Sequence, residues 1–237
     1  MAALTAIFTG AFAALATLNI LLLLTAFTDV LKLWPTPAWQ SWQSYVFWPL
    51  FRAGLGLAIL LGVLRFGMAS SYDWPSVPGV LLALAGFGFT IYGYFDLGIE
   101  NTYGSDDGLV TSGLYRYSRN PQYVASILAF LGLAVAAASM DVMLLCALAI
   151  GVYLLLPLAE EPWLERTYGS GYALYKQRTP RFLSLSKLLE KPRCGRALIR
   201  RSPPGEARRS QIAGSATPRT PRPAPRRAGS RPPSDAA

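Results

Sequence analysis

The chain has no histidine and only two cysteines, Cys146 and Cys194, among its 237 residues. Imidazole bases, histidine-paired nucleophiles and histidine-ligated metals are therefore excluded. Two thiols build neither a cysteine metal cluster nor a disulfide framework. Charge is also scarce: 15% of residues are Asp, Glu, Lys or Arg, against about 25% in soluble domains. Mean hydropathy is +0.32, and the deficit of charge points to a membrane protein.

The charge present is unevenly placed. Residues 191–237 hold 12 of the 22 Lys and Arg but only two of the 13 Asp and Glu, so the first 190 residues, with 10 basic and 11 acidic, are close to neutral. The same tail carries nine of the 18 prolines and reads as a disordered, basic Pro/Arg-rich extension. Its end, SDAA, is no prenylation box. The arginines suit anionic lipid or nucleic acid. A solvated extension explains them without any specific nucleic-acid partner.

Long charge-free runs locate the membrane spans. Residues 1–28 carry no charge, and the run is long enough to cross about 30 Å of hydrocarbon. Without a basic start it reads as a retained span rather than a signal peptide. A second span is expected over 46–66, with Arg52 and Arg65 snorkelling to opposite interfaces, and a third over 74–95. Two abutting runs, 120–140 and 142–159, are separated only by Asp141 and require a tight antiparallel hairpin. The expectation is an all-α polytopic protein of about five transmembrane helices. Its divisions are two N-terminal helices (1–72), a core with a cytoplasmic C-terminal helix (73–190) and the tail (191–237). Basic residues after the third and fifth spans, Arg116, Arg119, Lys176, Arg178, Arg181, Lys187 and the tail's arginines, place the C-terminus in the cytoplasm and the N-terminus outside. A bacterial-type inner (plasma) membrane is expected. Trp34, Trp39, Trp42, Trp48, Trp74 and Trp163 fall where aromatic belts lie.

Three polar clusters collect on the expected cytoplasmic face. In GLVTSGLYRYSRNPQY, residues 108–123, Asn120 suits an N-cap and Pro121 the first helical position. The free N–H groups there, with Arg119, suit an anion, although a capped helix with a snorkelling arginine explains the same residues. In EEPWLERTYGSGYALYKQRTPRF, residues 160–182, Glu160 and Glu161 end a span. Adjacent helical residues point about 100° apart, so at most one faces a pocket squarely. Glutamate opposes the dipole at a helix C-terminus and is costly at the bilayer edge unless paired. Pro162 marks Glu161 as a break point. Tyr168, Tyr172 and Tyr175 share a helical face, either lying on the membrane or walling a cofactor. In GFGFTIYGYFD, residues 86–96, Gly86 and Gly88 equally suit close helix packing.

In this order and at these spacings the motifs resemble the membrane methyltransferases that include isoprenylcysteine carboxyl methyltransferase and phospholipid (phosphatidylethanolamine) N-methyltransferase. The resemblance covers about residues 86–182. It implies S-adenosylmethionine bound at the cytoplasmic face and a lipid-like acceptor drawn from the bilayer. Carried over by position, Leu109, Val110, Tyr115, Arg119, Asn120, Pro121 and Tyr123 match the first cofactor motif. Glu160 and Glu161 match the paired glutamates, with Arg119 as anchor of the cofactor carboxylate and all three as catalytic candidates. Tyr168 and Tyr172 are added from the aromatic run, and Gly86 and Gly88 from the phospholipid branch's glycines.

The prenylcysteine branch places basic residues just before its glutamates. Residues 152–159 here are VYLLLPLA, so a phospholipid amine is favoured over a carboxylate. Two other readings stay open. An NADPH-dependent reductase of the steroid or sterol type shares a similar Arg-His-Pro-x-Tyr hairpin, but the glutamate pair and the Tyr-x-x-Tyr run argue against it. A non-catalytic protein on the same scaffold is the other. N-, O- or S-methylation, the oligomeric state and any role of the tail are left open at this point.

Overall fold

A computed structural model describes residues 1–38, 40–69, 75–97 and 109–183. The expected tail, Trp39, Trp74 and much of the third loop lie outside them. The described residues form five helices: α1 (Ala2–Phe27), α2 (Trp42–Gly67), α3 (Ser76–Leu97), α4 (Pro121–Ala137) and α5 (Met140–Arg178). A short 3-10 turn, Gly113–Arg116, precedes α4. Four of the helices are long and apolar enough to span a membrane, and α4, at 17 residues, is the short one. The all-helical polytopic expectation is borne out, including the tight hairpin of α4 and α5.

Lipid on one side and protein on the other both favour apolar residues, so the packing face hides inside a uniformly apolar run. In α1 it is the line Ala11, Leu15, Leu18, Leu22 and Thr25, spaced by four and three as a helix stripe requires. Ile20, Leu23 and Phe27 point outward. α1 and α2 pack on each other and on α5, α2 and α5 both meet α4, and α3 lies along α4. The core joins Leu15, Leu22, Phe47, Phe130, Cys146 and Val152 from four helices.

Small residues set the α3–α4 spacing. A Cβ on Gly86 would fall 2.5 Å from the Ala129 nitrogen, and one on Gly132 would fall 2.3 Å from the Ala83 nitrogen, so the two backbones touch as in other membrane helix pairs. Polar ties fix the remaining registers. Asn19 in α1 donates to the Leu148 carbonyl of α5 at 3.0 Å. Arg65, at the end of α2, pairs with Asp141 at the start of α5. The expected snorkelling of Arg65 thus ends on a carboxylate. That pair lies at the α4–α5 turn, opposite the end of the bundle where Arg119 and Glu161 meet.

The break in α5 is not where Pro162 suggested. The helix runs through Pro157 and Pro162 and departs from helical geometry at Gly169, with φ 51° and ψ −126°. A proline blocks only one hydrogen bond and bends the ladder, whereas this backbone conformation is open to glycine almost alone. The chain folds back there: Lys176 Nζ meets Glu165 Oε1 at 2.5 Å, although residues 11 apart on a straight helix are about 16 Å apart. Gly169 divides α5 into two helices, and the expected C-terminal helix is the second of them. Thirty-nine residues would span roughly 58 Å if straight, so the apolar first half of α5 crosses the hydrocarbon and the rest emerges.

Candidate active site

The segment before α4 and the segment after α5 are stitched together. The Arg119 amide donates to the Pro180 carbonyl at 2.9 Å. The Arg181 carbonyl accepts from the Asn120 side-chain amide at 3.0 Å and from the Ser118 hydroxyl at 3.3 Å. Asn120 does stand at the N-cap position with Pro121 at N1, but its side chain makes no capping bond; it is spent on the Arg181 carbonyl.

Glu161 is the centre of this seam and is only 5% exposed. It receives Arg181 in a two-pronged contact, Nε at 2.8 Å and Nη2 at 2.7 Å. Arg119 Nη1 reaches it at 2.9 Å and Lys176 at 3.8 Å. Planar forks on a carboxylate are the strong form of such contacts. The bond to Glu161 holds the Arg181 guanidinium above its ordinary pKa, against some desolvation. Arg119 also donates to the Tyr172 phenol at 3.3 Å. Burial, then the Glu161 charge, pushes that phenol up to about 12, so it stays neutral. Tyr175 donates to the Tyr115 carbonyl at 2.7 Å, which pins the returning end of α5 onto the 3-10 turn.

Glu160 faces the other way, into a cavity between the seam and the bundle. The cavity receives Leu109, Val110, Tyr115, Arg119, Asn120, Tyr123, Glu160, Tyr168 and Tyr172, all of them candidates from the motifs. Tyr123 donates to Glu160 Oε2 at 3.1 Å. The Arg119 Nε is buried with no hydrogen-bond partner. One glutamate thus faces the pocket and its neighbour is tied away from it, as the 100° spacing requires.

Gly86 and Gly88 do not line this cavity. Gly86 is pressed on α4 and Gly88 has open space beside it. Pro121 begins α4 without reaching the lining.

Residues 74–171 match the phospholipid methyltransferase family. The matched stretch contains the Arg119-Asn120-Pro121 segment, the hairpin and both glutamates, so the resemblance drawn from those motifs is borne out. No curated protein and no solved structure shows significant similarity to the chain.

Several cavity residues lie outside the matched stretch. Trp34 comes from the α1–α2 connection, and Phe47, Trp48 and Phe51 from α2. Trp34, Trp48 and Trp163 line the cavity where an interfacial belt was expected. Tyr153, Trp163 and Tyr175 complete the wall from α5. Motif order had no means of finding the α2 aromatics, because apolar rings inside an apolar span carry no signal. Arg181 did leave one: it ends the Pro-Arg pair of the aromatic run.

Proposed function

We propose that the protein is an S-adenosylmethionine-dependent methyltransferase that methylates a phospholipid-type amine at the cytoplasmic face of the membrane. The observation that carries this is the opposed setting of the two glutamates. Glu160 faces the cavity, held by the Tyr123 hydroxyl, while Glu161 is tied to Arg119 and Arg181.

The donor set suits the cofactor. Its carboxylate matches a buried guanidinium N–H with no hydrogen-bond partner among the described residues, Arg119 Nε. Its positive groups match the Glu160 carboxylate and the faces of Tyr168 and Tyr172. Leu109 and Val110 give an apolar edge for a ring. When bound, the cofactor supplies an electrophilic methyl group carried on a sulfonium.

The chain's own contribution is positioning and one proton. An amine arrives at neutral pH as an ammonium, whose lone pair is occupied. Glu160 takes that proton, with the Tyr123 hydroxyl holding its second oxygen in place. After transfer the proton leaves to water and the product is again a cation, facing the same carboxylate. Alignment in a water-poor cavity supplies much of the rate in such displacements, so no imidazole is needed. The nearby residues 152–159 offer no cation for a carboxylate acceptor.

Calorimetric titration of detergent-purified protein with S-adenosylhomocysteine tests the cofactor. Saturable binding is expected, and Arg119→Gln should weaken it about tenfold or more, the scale of one charged hydrogen bond. A wild type that binds none would sink the reading. Transfer of labelled methyl into a membrane lipid extract, with mass spectrometry of the product, tests the acceptor; label in a carboxyl ester rather than an amine would overturn that part.

A further inference from the structure

Residues 28–41 join α1 to α2, where about two to eight residues suffice in a helical bundle. The connection is built rather than slack. The Leu33 amide donates to the Thr25 hydroxyl at 3.2 Å. The Ser41 and Ser44 hydroxyls both donate to the Ala38 carbonyl at 2.7 Å. Leu33, Trp34 and Thr36 are buried in it. The Trp34 ring stacks on Phe47 at 4.4 Å and meets Trp48 edge-on at 5.9 Å. The connection thus sets one side chain in one place, at the wall of the cavity.

What it presents there is the indole N–H. That atom is sealed from solvent and has no close acceptor. The group it reaches, in a looser hydrogen bond than the 3.1 Å bond from Tyr123, is the Glu160 carboxylate. Tryptophan offers one donor and no acceptor. A belt tryptophan turns that donor to the wet side of the interface, and a ring used for packing alone needs no donor, so phenylalanine would serve. Glu160 therefore has a holder from each half of the chain: Tyr123 within the matched stretch, Trp34 outside it. Both are neutral donors, which orient a carboxylate without cancelling its charge. The cations Arg119 and Arg181 bind Glu161 instead.

We propose that Trp34 is a positioning residue for methyl transfer: its N–H holds the Glu160 carboxylate in the orientation that receives the acceptor's proton, so the α1–α2 connection completes a site whose motifs lie elsewhere. The inference rests on the reading of Glu160 as proton acceptor. Groups in such a role must be held to within about 0.5 Å of their working geometry, and a carboxylate gripped by Tyr123 alone still swings about that one bond.

Trp34→Phe keeps the ring stack and removes only the donor. The test uses the full chain in detergent, with labelled S-adenosylmethionine and dioctanoylphosphatidylethanolamine. In Trp34→Phe, kcat should fall about tenfold, the scale of one hydrogen bond to a charged group, with KM for both substrates and the thermal midpoint close to wild type. An unchanged kcat overturns the proposal. In a Glu160→Gln background the same change should cost less than about twofold, because Trp34 acts through that carboxylate; a further tenfold loss there overturns it as well. A third readout needs no turnover. Isotope labelling of the indole nitrogens gives one magnetic-resonance signal for each of the six tryptophans. The signal absent from Trp34→Phe should move in Glu160→Gln and hold its place in Glu165→Gln, whose carboxylate is paired with Lys176 at the surface. If none of the six moves in Glu160→Gln, the contact is overturned whether or not Trp34→Phe folds. A Trp34 signal that answers to Glu160→Gln in a protein that transfers no methyl would keep the contact and sink the methyltransferase reading.

Discussion

At the scale of single residues, the two adjacent glutamates have opposite tasks and should fail in opposite ways. Glu161 neutralises Arg119 from one side and Arg181 from the other. Removing it leaves a guanidinium that is 8% exposed without its partner, and breaking such a buried pair costs about 3–5 kcal/mol. Glu161→Ala is therefore expected to lower the thermal midpoint in detergent by several degrees and to abolish binding as a consequence of losing the seam. Glu160→Gln keeps the shape of the cavity and removes the proposed proton acceptor. Its midpoint should stay close to the wild type while methyl transfer falls about 100-fold or more, the range of general-base effects. Equal midpoints for the two variants would refute this division of labour. The sequence limited a pocket to at most one of the two carboxylates, since the angle between neighbours is set by the helix. It could not say which, because the choice depends on Arg181, twenty residues further on.

At the scale of elements, glycines decide where helices touch and where they end. Gly86→Leu pushes a side chain into the α4 backbone and should depress stability sharply. Gly88→Leu meets open space and should be tolerated. Thermal denaturation of the pair tests packing against cofactor contact, because a cofactor role would make both variants lose binding at unchanged stability. Gly169→Ala strains a conformation that costs about 1–3 kcal/mol with a side chain. It should pull Tyr172 and Tyr175 off the cavity, weakening S-adenosylhomocysteine more than it lowers the midpoint. The helices themselves were legible as charge-free runs, and the hairpin as two such runs divided by Asp141. The break was not. Pro162 is the louder signal, but a proline bends a helix that packing still holds straight, whereas Gly169 permits a reversal that Tyr175 and Lys176 then secure.

At the scale of the whole molecule, Arg65–Asp141 and Arg119–Glu161 mark the two ends of one bundle. The Thr28–Ser41 end of α1 and α2 falls with the second pair, which is how Trp34 comes to stand beside Glu160. With Cys194→Ser as background, buried Cys146 should not react with a membrane-impermeant maleimide. Thr5→Cys should label from outside intact cells, and Ser170→Cys only after the inner face is opened. Labelling of both from the same side would overturn the sidedness read from the basic residues. The motif-bearing half was legible because polar residues in fixed order survive translation into sequence patterns. The contribution of the first two helices was not, because it consists of rings and shape.

The seam between residues 118–120 and 180–181 has one more consequence, for how the protein is made. Glu161 is the meeting point of arginines 62 residues apart in the chain. During synthesis the hairpin enters the membrane with Arg119 and Glu161 aboard, and the second arginine leaves the ribosome only after every span has passed. Assembly of the site therefore works as a completeness check: a chain that stops short of Arg181 can insert all its helices and still never close the pocket.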